Sequence, residues 1–557
     1  MKIIECVPNI SEGRDRQVLD AVAAAVREVA GVELLDVDPG AETNRTVFTF
    51  VGAPEGVAEA AFRLARTALG LIDMRSHRGA HARLGAVDVV PFVPVGGGAT
   101  MDDCVALARQ VGRRMAEELD IPVYLYERAA TRPERASLAE VRKGEYEGLP
   151  EKLADPAGQP DFGPAEFRPR SGATIVGARP FLIAYNVDLN TRDQKLAHDI
   201  ALEIREQGRI ARDAAGKIVR DAAGEPLRVP GKLNAVRAVG WYIPEFGRAQ
   251  VSINLLDFEQ TPPHAAFEAV REAARARGLR VTGSELVGLI PLAAVRRAGE
   301  HYLAAQGKTT AVPEPDLVDA ARTSLGLDDV KPFDPARAII EYRLAAREQG
   351  LRGLSLVGFC DELSRSSPAP GGGSVSALAG ALGASLVSMV AALTHPGATA
   401  TARGEVEQLG VAAQELEERL LRAIDEDSAA FDAIRAARRL PKKTPEQQAE
   451  RDAAILAATR RAIDVPLTVV GLAGDVARLA ERVTSVGLPA AMSDAGVAAW
   501  CARTATEGAA LNVRINLPGL PDAEERQRTA ARLDDLLAAA RETTARATAR
   551  VESALAV

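Results

Sequence analysis

Cysteine is scarce: four in 557 residues, Cys6, Cys104, Cys360 and Cys501, set far apart. No Cys-x-x-Cys pair accompanies them and no histidine stands at zinc-ligand spacing, which excludes a disulfide scaffold and a structural zinc site. Free thiols in a reducing compartment, and no metal, are expected. Aromatics make up only 4% and the net charge is -8, with no basic run interleaved with aromatics. That excludes a general nucleic-acid binder. The opening MKIIECVPNISEGRD lacks an apolar stretch of signal-peptide length and meets acidic residues at once, so the expected compartment is the cytoplasm.

What is present is ordinary for a folded chain. Hydrophobic residues make up 47% and charged residues 26%, far from the composition of disorder. The length exceeds what one core accommodates. IIECVP, VELLDVD, RTVFTFVG, AVDVVPFVPV and PVYLY read as strands, with helices over 14–29, 55–70 and 101–119. VELLDVD and RTVFTFVG, joined by PGAETN, form a hairpin, and the order β-α-β-β-α-β with an extra helix is a split ferredoxin-like plan. A proline-rich loop follows. A second block repeats the plan, opening with TIVGARPFLIAYNVDL as one strand and carrying helices over 191–206 and 262–277. Its near-duplicate RDAAG at 212 and 220 reads as a protruding hairpin, since two copies cannot build a stack. From about residue 353 alanine dominates and helical periodicity runs to the end, as in a bundle. One break, ARRLPKKTPEQQAE, carries Thr444 as N-cap, Pro445 at the first helical position and Gln447 to complete a capping box. The expected fold is α+β and all-α: two ferredoxin-like βαββαβ subdomains over 1–178 and 179–344, a linker over 345–352 and a helical bundle over 353–557.

Four features carry chemistry. MRSHRGAHARLGAVDVV sets His77 and His81 among Arg75, Arg78 and Arg83, with Gly79 and Gly85 allowing close approach of a ligand; a plain surface imidazole is the competing reading. Asp38 ends a strand, where a carboxylate is placed either to orient a loop histidine or simply to meet solvent. In DFGPAEFRPRSGAT, Arg168 and Arg170 beside Phe162 and Phe167 suit a flat heteroaromatic ligand bearing carboxylates, or a solvated linker. The fourth is the helix over 411–438, whose apolar stripe Leu416, Leu420, Ile424, Phe431, Ile434 is interrupted by Asp427. A carboxylate on a core stripe is desolvated and becomes a proton donor near neutral pH, or else a hydrogen-bonded structural group. Asp494 and the pair Asn512 and Asn516 are weaker features of the same kind.

PAPGGGSVSALAGALGASLVSMVAALT, residues 368–394, lacks the lysine of a phosphate loop and the aromatic flanks of a membrane span. Its small residues suit close packing inside a bundle, and its glycine-rich start offers free N–H groups to an anion.

These stretches, with ECVPNISEG, GEYEGLPEKL, VGARPFLIAYN, REQGR, VSINLLDFE, RLPKKTPE and NVRINL, in this order, resemble the formiminotransferase-cyclodeaminase family over nearly the whole chain. The resemblance implies a bifunctional folate enzyme of histidine breakdown, with tetrahydrofolate and N-formimino-L-glutamate as substrates and a homodimer or larger homo-oligomer. It puts the catalytic histidine on His81, its aspartate on Asp38 and the cyclodeaminase proton donor on Asp427. The folate segment falls on Gly163, Pro164, Phe167, Pro169 and Gly172, to which Arg168 and Arg170 are added here. Gly371, Gly372, Gly373, Ser374, Lys442, Asp494 and Asn512 are candidates for the cyclodeaminase site. Ala82 departs from the proline usual after the catalytic histidine, and the hairpin over 209–231 is longer than in animal members. Rival readings are a methenyltetrahydrofolate cyclohydrolase with a degenerate front half, and a non-catalytic folate-binding protein.

Overall fold

The computed structural model describes residues 2–41, 43–79, 82–221, 224–345 and 350–556. The chain divides into two compact units, Met1–Val295 with Leu325–Leu344, and Arg296–Ser324 with Ala345–Val557.

The first unit opens with β1 (Ile3–Cys6), β2 (Asn9–Ile10), α1 (Arg16–Arg27), β3 (Val32–Gly40), β4 (Arg45–Gly52), α2 (Pro54–Leu71), β5 (Val87–Gly96), α3 (Met101–Leu119) and β6 (Val123–Glu127). Short helices α4 (Leu138–Val141) and α5 (Leu149–Ala154) precede β7 (Thr174–Ala178). The strands order as β1-β4-β2-β5-β7-β6, with β3 on β4, and β7 lies parallel to both β5 and β6. Helix starts are set locally: Asp15 caps α1, and Thr100 with Asp103 makes a reciprocal capping box on α3. One sheet face and the apolar stripes of α1, α2 and α3 share a core around Phe48, Phe50, Phe62 and Phe92. The other face carries a smaller apolar cluster with Tyr124, Tyr126 and Ile175 and a set of charged groups.

The expected strand 174–189 is two strands in two sheets. Arg179 N–H still donates to Phe92 O at 3.1 Å, but Pro180 has no N–H to continue a ladder. β8 (Ile183–Leu189) instead lies inside a second, antiparallel sheet of order β11-β12-β8-β13. Around it run α6 (Gln194–Ile204), the ribbon β9 (Arg209–Ile210) and β10 (Arg228–Val229), β11 (Val236–Ile243), β12 (Arg248–Leu255), α7 (Pro263–Arg275) and β13 (Val281–Val287). In the ribbon the two RDAAG copies make the same backbone bond: Gly216 N–H donates to Asp213 O and Gly224 N–H to Asp221 O.

The second unit is largely helical. Most of α8 (Leu292–Ala305) and α9 (Glu314–Leu325) belong to it, whereas α10 (Pro335–Ala338) and α11 (Ile340–Ala345), up to Leu344, belong to the first unit; it continues with α12 (Leu356–Leu363), α13 (Gly372–Thr394), α14 (Ala400–Arg438), α15 (Pro445–Val486), α16 (Met492–Asn516) and α17 (Ala523–Leu555). The stretch Gly372–Gly397 is long and apolar enough to cross a membrane. Here α13 packs on α14, α15 and α16, with Gly380 against Leu420 and Ala505. Small residues make that approach possible, as their content predicts. Pro466 lies within α15 and gives no N–H to the Ala462 carbonyl; Asn516 Nδ2 donates to that carbonyl at 3.1 Å and to Asn512 O at 2.9 Å. The α14 stripe runs as expected through buried Leu416, Leu420 and Ile424 but ends there: Phe431 is 38% exposed, and Ala430 and Ala437 are the buried positions beyond Asp427.

Candidate active sites

On β3, Asp38 is exposed and in register with Val47 of β4. Half-buried Arg45 lies two residues from Val47, on Asp38's face of the sheet. Burial lowers the Arg45 pKa, the nearby Arg142 charge adds to this, and Asp88 and Asp38 oppose it. His81 lies outside the described residues. His77 is buried, 6% exposed; its Nε2 lies 2.9 Å from Asn44 O and its Nδ1 accepts from Arg83 Nε at 3.3 Å. These partners put the proton on Nε2. Burial pushes the His77 pKa down against the bond to Asn44, and Arg83 adds to the fall, so the imidazole is neutral at pH 7. Asn44, at φ 49°, accepts from Gly13 N–H and donates to Arg78 O, both at 3.0 Å. A side chain on Gly79 would overlap Thr43 and Asn44. Arg83 in turn binds Glu147 with Nη1 and Nη2, at 2.8 and 2.6 Å, and Glu145 at 3.1 Å.

The expected folate segment is shaped by backbone demands. Gly163 and Gly172 have φ of 83° and 69°, and a Cβ at either would run into a backbone carbonyl, of Ile121 and Leu84 respectively. Phe167 is half-buried, its ring 5.4 Å from that of Tyr146, whose hydroxyl donates to Pro169 O. Pro164 is half-buried and Pro169 exposed. The two arginine forks expected here for a ligand are committed within the chain. Arg168 pairs with Asp120 and Glu166, each at 2.9 Å, and Arg170 Nη2 donates to Gly70 O at 2.7 Å.

In the bundle, several expected residues meet at the start of α13. Gly371 is its N-cap position, after a cis Ala369–Pro370 bond. Ser374, fully buried, has its Oγ 3.0 Å from Ile424 O, 3.3 Å from Asp427 Oδ2 and 3.2 Å from Ser428 Oγ. Burial raises the Asp427 pKa, while the Ser374 hydroxyl and backbone N–H oppose the rise. Gly373 lies directly against this carboxyl: a Cβ there would sit 2.5 Å from Oδ2 and nearer still to Oδ1. Across Gly372 stands Asn512, Nδ2 at 3.4 Å from such a Cβ, with that nitrogen donating to Gly508 O at 3.0 Å. The site therefore joins a helix N-terminus, a poised carboxyl and an amide.

Two expected members lie elsewhere. Asp494 is in the first turn of α16, about 27 Å along the helix from Asn512 at the standard rise per residue. Lys442 is exposed in the connection to α15, beyond Arg438, itself about 16 Å along α14 from Asp427. The sequence setting of Asp494 resembled that of Asp427, a polar residue in an alanine-rich helix, but position along the helix separates them.

Asn44, Glu145 and Glu147 were not singled out by the sequence, nor was the pair of Asp88 and Arg142, joined through Oδ2 and Nη2. Asn44 carried one usable signal, since asparagine in a turn tolerates positive φ. The others are contacts across 54 to 64 residues, which no local pattern records.

Comparison with known proteins gives a concordant result. Residues 3–179 match the N-terminal subdomain of the formiminotransferase domain, 184–345 the formiminotransferase domain and 355–535 formiminotransferase-cyclodeaminase. Formimidoyltransferase-cyclodeaminase of Rattus norvegicus is 43% identical over 546 residues, 96% of each chain. Glutamate formimidoyltransferase of Streptococcus pyogenes serotype M1 is 42% identical over 54% of this chain and 93% of its own. Methenyltetrahydrofolate cyclohydrolase of Methylorubrum extorquens is 41% identical over 33% of this chain and 88% of its own. With its two sheet-bearing parts, its helical bundle and this full-length likeness, the chain belongs to the formimidoyltransferase-cyclodeaminase family.

Proposed function

We propose that the first unit transfers the formimino group of N-formimino-L-glutamate to N5 of tetrahydrofolate, and that the bundle closes the product to 5,10-methenyltetrahydrofolate with loss of ammonia. The observation that carries the reading is the carboxyl of Asp427, held protonatable against Gly373 and Ser374 at the start of α13. In transfer, the folate amine attacks the amidine carbon, a tetrahedral adduct forms, and glutamate leaves once its nitrogen is protonated. His81 takes the first proton and returns it to the leaving nitrogen, with Asp38 orienting the imidazole. In ring closure N10 attacks the same carbon and ammonia leaves with a proton from Asp427. While protonated, Asp427 donates to Ser374 Oγ, whose own proton goes to Ile424 O; once ionised, it accepts from Ser374 instead. The Ser374 hydroxyl thus serves both states without backbone movement. The N–H groups opening α13 suit a folate carboxylate or pterin edge, and Asn512 lies within reach of the same turn.

The two sheet-bearing parts are read as ferredoxin-like subdomains and the compartment as the cytoplasm. A homo-oligomer is supported by apolar residues that α13 and α16 leave exposed: Leu382, Met389 and Leu393 on one, Val497, Trp500, Leu511 and Ile515 on the other. His81→Ala and Asp427→Ala, made separately, test the assignment. The first is expected to abolish glutamate release and spare ammonia release from 5-formiminotetrahydrofolate; the second is expected to do the reverse, and retention of both activities in either variant refutes it. A cyclohydrolase is the second reading, favoured by the likeness of the bundle to the Methylorubrum enzyme. Release of formyl-folate from methenyl-folate, without ammonia release from the formimino compound, would select it.

A further inference from the structure

The first histidine of HRGAH, His77, joins two stretches of chain that are remote from each other in sequence. Its Nε2 donates to Asn44 O at 2.9 Å, and its Nδ1 accepts from Arg83 Nε at 3.3 Å. Only a neutral imidazole does both, because a second proton would turn an N–H toward a guanidinium that has donors alone. Asn44 answers with its side chain: Nδ2 donates to Arg78 O and Oδ1 accepts from Gly13 N–H, both at 3.0 Å. Residues 77 and 78 are thus clasped to Asn44 by two bonds that run in opposite senses. Gly79 continues the contact, since a Cβ there would overlap Thr43 O and Asn44 Cβ. Beyond the interval 79–82, Arg83 is anchored again: Nη1 and Nη2 bind Glu147 at 2.8 and 2.6 Å, and the Arg83 carbonyl accepts from Tyr146 N–H at 2.8 Å. Arg78 and Arg83, on either side of His81 in sequence, are therefore linked through one imidazole to the turn between β3 and β4. That turn follows the strand that carries Asp38.

We infer that His77 is a positioning residue for formimino transfer, holding both ends of the 79–82 segment to the β3–β4 turn and so fixing the spacing of base and Asp38. This rests on the transfer reading above and extends it to a residue that does not meet substrate. His77 is only 6% exposed, and Asn44 and Arg83 are buried with it. Removal of the imidazole leaves the Arg83 Nε donor and the Asn44 carbonyl without this partner, and buried polar groups so stranded move to find another. A glutamine amide offers one donor and one acceptor at about the same reach, so it can replace the ring.

His77→Ala and His77→Gln, made in the full chain, test the inference. His77→Ala is expected to lower kcat for glutamate release about 10- to 100-fold while the donor and tetrahydrofolate KM stay within about twofold. It is also expected to speed amide hydrogen exchange in residues 43–46 and 74–78 together. His77→Gln is expected to bring kcat back to within about threefold of the wild type and to restore slow exchange. A role in stability alone would lower the thermal midpoint and leave kcat of the folded protein unchanged. Should His77→Ala not fold, Arg83→Lys is the second probe: it keeps a charge facing Glu147, has no Nε donor for His77, and is expected to show the same loss of kcat. Wild-type kcat in either folded variant, a raised KM in place of a lowered kcat, or a glutamine variant as slow as the alanine one overturns the inference. A wild type that releases no glutamate overturns the transfer reading instead. Hydrogen exchange then decides the clasp, faster exchange of both segments in His77→Ala supporting it and unchanged exchange overturning it.

Discussion

Gly373→Ala tests the bundle site most directly, because one added methyl group acts on one carboxyl. The new Cβ would stand 2.5 Å from Asp427 Oδ2 and nearer still to Oδ1, where ordinary contact between non-bonded heavy atoms begins near 3.5 Å, so the carboxyl must withdraw by more than about 1 Å. Its bond to Ser374 Oγ, now 3.3 Å, would then break. A misplacement of this size at a reacting group costs about 100-fold in rate, or about 2.7 kcal/mol of barrier. Stability should fall by less, about 0–2 kcal/mol, because overpacking of roughly 1–3 kcal/mol is partly offset by about 1 kcal/mol of helix propensity gained on replacing glycine. The assay is ammonia release and methenyl-folate absorbance from 5-formiminotetrahydrofolate, beside glutamate release and a thermal midpoint. Gly372→Ala is the internal control: its Cβ meets Asn512 Nδ2 at 3.4 Å, an ordinary contact, and ring closure should stay within about threefold of the wild type. A folded Gly373→Ala variant that closes the ring at the wild-type rate would refute the reasoning.

Three further outcomes are expected. Glu5 on β1 is buried, and desolvation, opposed by Arg179, lifts its pKa from 4.5 to about 7. The folded state holds that proton more tightly than the unfolded chain, so the linked stability is complete below pH 4.5 and is lost as pH rises through about 7. Glu5→Gln should flatten this dependence and stabilise the protein at pH 8 by about 2–3 kcal/mol, read from denaturant midpoints. The same sign applies to Asp427, whose pKa is also raised by burial: stability falls as pH rises from about 4 through its folded pKa, and Asp427→Asn should remove that slope along with ring closure. Arg168→Ala should leave the tetrahydrofolate KM within about twofold, because its charge is spent on Asp120 and Glu166 and exposed pairs contribute little. A tenfold rise in that KM would return Arg168 to the folate site.

How much of this the sequence disclosed depends on the range of the interaction. The hairpin of β3 and β4, the Thr444 cap of α15 and the 101–119 helix follow from residues within a few positions of one another, and pattern reading finds them. Asp427 was legible for the same reason, since one polar residue on an apolar stripe is a local anomaly. The split at Pro180 was overlooked because the apolar pattern continues through it, although proline's missing N–H marked the place. Phe431 was assigned to the core because periodicity does not reveal where a neighbouring helix ends. Asn44, Glu147 and Arg142 act through partners 30 or more residues away. The chemistry of those residue types was visible, but their juxtaposition is a product of topology.

The proline in α15 has a consequence for the site that lies on other helices. An α15 with an N–H at position 466 would keep the Ala462 carbonyl for itself, whereas the missing hydrogen on Pro466 leaves it as an address that Asn516 reads. Asn516 is one turn from Asn512, and Asn512 faces Gly372. The sliding position of α16 along α15 is thereby indexed to a single backbone oxygen, and with it the height at which the Asn512 amide meets the first turn of α13. In a bundle packed largely through alanine, where neighbouring turns are nearly interchangeable, such an index mark distinguishes one register from the next.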